Sequence, residues 1–60
     1  MNAVEIQTHA QKLLQAHGLK ALAEAAERSR HYEEMGDKEQ AQDWKRIEKA
    51  LQQMRGPNAS

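Results

Sequence analysis

Cysteine is absent from this 60-residue chain, and so is phenylalanine. Without cysteine no disulfide staples the fold, and the thiolate zinc cages are excluded. Valine, threonine, tyrosine and tryptophan occur once each, so the β-branched and aromatic residues that favour strands are scarce. Charge of one sign is missing too: nine lysines and arginines meet nine aspartates and glutamates. The basic excess that marks a nucleic-acid binder is therefore not there. No apolar run approaches the roughly 18 residues of a membrane span. Nor does a basic segment lead into an apolar stretch at the start, as in a signal peptide. These features predict one small cytoplasmic domain with no membrane role.

What is abundant is alanine, glutamine, glutamate and lysine, all good helix formers. Gly18, Gly36 and Gly56 recur at intervals of about five helical turns. A glycine just past a helix end closes the last turn without a Cβ clash. The spacing predicts an all-α chain of three helices, about 3–17, 20–35 and 38–55, forming a small bundle over 1–55. Residues 56–60 are predicted to be a flexible tail.

In the first helix Asn2 is the candidate N-cap, and Ile6, Ala10, Leu13, Leu14 and His17 share one stripe. Leu19 is placed to fold back on Leu14 in a Schellman closure after Gly18. The rival reading is one helix running through Gly18, since an interior glycine costs only about 1 kcal/mol and no good N-cap opens the second helix. The second stripe is small: Leu22, Ala25, Ala26, Ser29 and Tyr32, with Met35 at its end. Glu24 with Arg28 and Arg30 with Glu34 are opposite charges four apart, a spacing that marks a solvated face. The third helix has the strongest pattern. Asp37 is a favoured N-cap with Gln40 three residues on, a capping-box arrangement. Ala41, Trp44, Ile47, Leu51 and Met54 then follow at three- and four-residue steps. Arg55 suits the carbonyl end of this helix, and Gly56-Pro57 stops it.

Gly36-Asp37 leaves only a two-residue link, which forces the second and third helices to lie antiparallel as neighbours. Tyr32 and Met35 are predicted to face Ala41 and Trp44. Tyr32, Gly36-Asp37 and Ala41 are spaced as in a tetratricopeptide repeat, which this hairpin locally resembles. The consensus Trp, Leu and Gly of that repeat fall here on Ala25, Arg28 and Ser29, and its later aromatic on Lys45. The resemblance thus implies a helix pair and nothing more. Across Gln7–Leu14, Ala23–Ala26, Trp44–Glu48 and Met54–Pro57 the chain also resembles a group of short helical proteins of alphaproteobacteria. That resemblance carries no activity and no site residues.

Chemistry is thinly represented. His9 and His17 are eight residues apart, about 12 Å along a helix, too far for one metal ion. Glu27 and His31 have chelating spacing but lack a third ligand. The carboxylates Glu33, Glu34, Asp37, Glu39 and Asp43 crowd the turn, where a two-helix tip offers no cleft to separate their roles. Ser29 and Thr8 have no base arranged beside them, and no phosphate loop is present. The chain is read as not an enzyme, with no cofactor, no metal and no small-molecule substrate. Lys45, Arg46, Lys49 and Arg55 make the third helix the most basic element, which supports a nucleic-acid-binding regulator as the alternative function. Asp43 and Glu48 interrupt that patch, and the turn before it is tighter than a helix-turn-helix requires.

Large apolar side chains are few, and a chain this short buries only about 60% of the surface it exposes unfolded. Such chains gain burial by oligomerising. Two architectures satisfy the pattern: the first helix closes on the hairpin as a three-helix monomer, or hairpins pair across a two-fold axis. The leading expectation is a protein–protein interaction module, an adaptor or regulator, associating with another protein or with itself as a homodimer. Trp44 is either the core anchor of the hairpin or a partner's anchor point. Trp44, Ile47, Leu51, Met54, Tyr32 and Leu13 are the candidate interaction residues.

Overall fold

Glycines and capping residues set the ends of the helices in a computed structural model, which describes residues 2–54. The elements are α1 (Ala3–His17), α2 (Lys20–Met35) and α3 (Lys38–Met54). Arg55, the Gly56-Pro57 stop and the predicted tail lie outside the described residues.

At the start of α1, Asn2 is extended and its side chain accepts the Glu5 N–H at 2.8 Å, while the Glu5 carboxylate accepts the Asn2 N–H at 3.4 Å. This reciprocal capping box satisfies two donors that a helix start leaves orphaned. At the other end Gly18 stands at φ +60°, ψ −134° and donates its N–H to the Leu14 carbonyl at 2.8 Å. The helix therefore breaks here, and the continuous reading does not hold. The Schellman closure expected around Leu19 does not form either. Leu19 already has helical dihedrals and remains 71% exposed, so it starts α2 instead of folding back on Leu14. No side chain caps this start; the Ala21 N–H donates to the Gly18 carbonyl at 3.0 Å.

The second turn is built differently. Gly36 is left-handed at φ +83°, ψ 10°. Its N–H donates to the Glu33 carbonyl at 3.1 Å and the Asp37 N–H to the Tyr32 carbonyl at 2.9 Å, the paired bonds of a Schellman motif. The Asp37 side chain then accepts the Gln40 N–H at 3.2 Å. One half of the expected capping box is present. The other half would need the Asp37 N–H, which the Tyr32 carbonyl already holds.

α1 folds back on the hairpin, so the chain takes the three-helix form. α3 is the central element, and the two largest fully buried side chains, Ile47 and Leu51, are both its own. Around them pack Ile6 and Ala10 from α1, Ala21 and Ala25 from α2, and Trp44 and Ala50 from α3. The α2–α3 seam is the most extensive and the α1–α2 seam the least. Alanines on α2 explain the first: small side chains allow close approach of the backbones. Ser29 is buried in that seam, and its hydroxyl donates to the Ala41 carbonyl at 3.4 Å. Across the hairpin Ser29 meets Ala41, Arg28 meets Trp44 and Glu33 meets Lys45, and Tyr32 packs half-buried against the core that contains Trp44. Met35 stays 66% exposed. It follows Ala25 by ten residues, which at about 100° per residue turns it some 80° off the core face.

Candidate interaction site

Trp44 reaches from α3 into the groove between α1 and α2. The His9 ring of α1 meets it edge-on, with centroids 6.2 Å apart and planes at 74°. The Arg28 guanidinium of α2 lies 5.2 Å from the ring centroid, within cation–π range. One indole thus touches both of the other helices. His9 and Arg28 are themselves exposed and Trp44 is buried beneath them, so the two polar side chains lid the floor of the groove.

Further along the groove, His17 in the last turn of α1 places its Nδ1 3.2 Å from Glu24 Oε2 on α2. Glu24, expected to pair with Arg28 four residues on, is drawn to α1, while Arg28 turns to Trp44. His17, Glu24, Glu27, Arg28 and His31 line an open depression along this seam. Two carboxylates, one guanidinium and two imidazoles share it. Among the described residues no three histidine or carboxylate side chains come together as a metal cage. His31 stacks edge-on against Tyr32, with centroids 5.4 Å apart.

The crowded carboxylates of the turn have separate duties. Glu33 forms an ion pair with Lys45 at 2.5 Å, Asp37 caps α3, and Glu34 and Glu39 are exposed. Lys45, counted in the basic patch of the third helix, is thus engaged within the hairpin; Arg46 and Lys49 are exposed, and Arg55 lies outside the described residues.

The six candidate interaction residues divide in two. Ile47 and Leu51 are fully buried and Trp44 nearly so, covered by α1 and α2 of the same chain. Leu13, Tyr32 and Met54 are half-buried at the margin of the core. Among the described residues Val4, Leu19 and Met35, none of them an interaction candidate from the sequence, are the large apolar side chains most open to water. Leu19 is exposed because it already belongs to the helical start of α2, and Met35 because its phase on α2 turns it off the core face. The His9–Trp44–Arg28 stack was equally unforeseen, since it depends on how α1 lies across the hairpin. Set against known proteins, the chain matches no family model, no curated protein and no solved structure.

Proposed function

We propose that this protein acts by protein contact, as a small interaction module whose first partner is a second copy of itself. The observation that supports this is how little of its apolar inventory the single chain covers. Among its large apolar side chains, Ile6, Trp44, Ile47 and Leu51 are buried; Leu13, Leu14, Leu22, Tyr32 and Met54 are half-buried; Val4, Leu19 and Met35 are exposed. The rest of the core is alanine. Burial contributes about 25 cal/mol per Å² of apolar surface, so side chains left half in water are stabilisation that a partner can still supply. Small domains without disulfides or metals gain it by association. In this reading the module serves as an adaptor or regulator in the cytoplasm.

Sedimentation equilibrium over a micromolar to millimolar series tests the proposal. A concentration-dependent mass rising toward that of two chains is the expected result. A constant single-chain mass across the series would remove self-association from the reading.

A further inference from the structure

We propose that Gly18 is a hinge through which two copies of the chain exchange α1, giving a domain-swapped homodimer. The inference rests on the self-association reading above and specifies how the copies join.

One residue separates α1 from α2. Leu19 already has helical dihedrals, and only Gly18, at φ +60° and ψ −134°, departs from the helix. Nothing lies within 4 Å of where a Gly18 Cβ would stand, so a side chain there meets no steric block, and two backbone hydrogen bonds, to Leu14 and from Ala21, are what close the turn. The start of α2 has no side-chain cap, and its first N–H groups would gain helical carbonyl partners if the helix ran on from α1. Rotation of Gly18 into the helical region therefore joins residues 3–35 into one rod of about 50 Å.

The sequence suits that rod. Ile6, Ala10 and Leu14 before the hinge, and Ala21, Ala25 and Tyr32 after it, keep four- and seven-residue steps through Gly18. Both halves thus stay near one face. Opening carries Ile6 and Ala10 away from Trp44, Ile47 and Leu51. The cover that fits those side chains is α1 itself, and the α1 of a second copy has the same shape. Two rods lying antiparallel restore every α1 contact across a two-fold axis, a closed isologous arrangement. Their hinges fall at the same height, so Leu19, 71% exposed in the single chain, gains a cover at the axis. Opening breaks the α1–α3 seam as well as the sparser α1–α2 seam, and exchange re-forms both; very short hinge links favour it.

Three chains in sedimentation equilibrium, with one NMR experiment, decide the matter. Gly18→Ala favours the helical hinge in both copies, so its dimer dissociation constant should fall roughly tenfold or more relative to wild type. A Gly-Asn-Gly insertion after Gly18 relieves the short link and should leave the chain folded and monomeric. In dimers mixed from isotope-labelled and unlabelled chains, the His9–Trp44 ring contact should appear between chains. If Gly18→Ala aggregates, the wild type and the insertion variant still carry the test. A dimer with the His9–Trp44 contact only within chains, or one that survives the insertion, overturns the exchange and leaves self-association standing. Single-chain mass for wild type and Gly18→Ala at every concentration overturns both.

Discussion

The two turns of this molecule use the same residue for opposite ends. At Gly36 the backbone is left-handed and the flanking groups are closely matched: two Schellman bonds close α2, and Asp37 caps α3 in the next step. At Gly18 one bond closes α1, no side chain caps α2, and an apolar residue is left in water. The seams the turns control differ in the same sense, extensive between α2 and α3 and sparse between α1 and α2. The second turn is closed by paired bonds and a side-chain cap, whereas the first has single backbone bonds on either side of Gly18 and no side-chain cap on α2. The hairpin holds the most extensive seam, and α1 covers the core that it presents.

The comparison is best broken at the residue both halves share. Leu51 is fully buried, and Leu51→Ala should cost about 2–5 kcal/mol, a large part of the stability available to so small a domain. Urea melts followed by circular dichroism should show the midpoint collapsing. A loss under 1 kcal/mol would mean that the core is not centred on α3. Next come the glycines, compared at concentrations where the chain is single. Alanine should cost about 1–2 kcal/mol at Gly36, in the left-handed region, and about 1–3 kcal/mol at Gly18, whose positive φ is paired with ψ −134°. Asparagine should recover part of that at Gly36, because it tolerates the left-handed region. At Gly18 it should recover nothing, because ψ −134° lies outside that region. Equal behaviour at the two sites in thermal melts would erase the distinction drawn between them.

Capping sharpens the contrast at a smaller scale. Asp37→Ala should cost about 1 kcal/mol by loss of the bond to the Gln40 N–H. Leu19→Asp places a good capping residue at the start of α2, yet should change stability by no more than about 0.5 kcal/mol. Its backbone is already helical, whereas an N-cap side chain works from an extended one. A clear gain in melting temperature would show that the first turn can be capped after all. The smallest effect belongs to the hairpin's surface ion pair. Lys45→Ala should cost only a few tenths of a kcal/mol, shrinking as salt is added; both Lys45 and Glu33 are about half exposed.

Helix ends were legible because they depend on neighbours in sequence. Asn2, Gly18, Gly36 and Asp37 each act within five residues of their own position, so type and spacing place α1 and α2 and the start of α3. The stripe from Ala41 to Leu51 was legible for a similar reason: one periodic face on an otherwise polar helix has to be inside. Pairings between helices were not legible. Glu24 pairs with His17 instead of Arg28, and Met35 stays in water instead of facing α3, because such partners depend on how α1 crosses the hairpin and on the phase at which each side chain leaves its helix. A stripe of alanines says that a neighbour comes close, but not which of its residues arrive.

The position of Trp44 gives the molecule an internal gauge. Its indole is the sole tryptophan and is bounded by an imidazole edge from the first helix and a guanidinium from the second. Emission wavelength, quenching by iodide and polarisation decay should therefore all respond when the first helix lifts, with no dye attached. A stopped-flow dilution read at this fluorophore would time the departure of that helix separately from the melting of the hairpin beneath it.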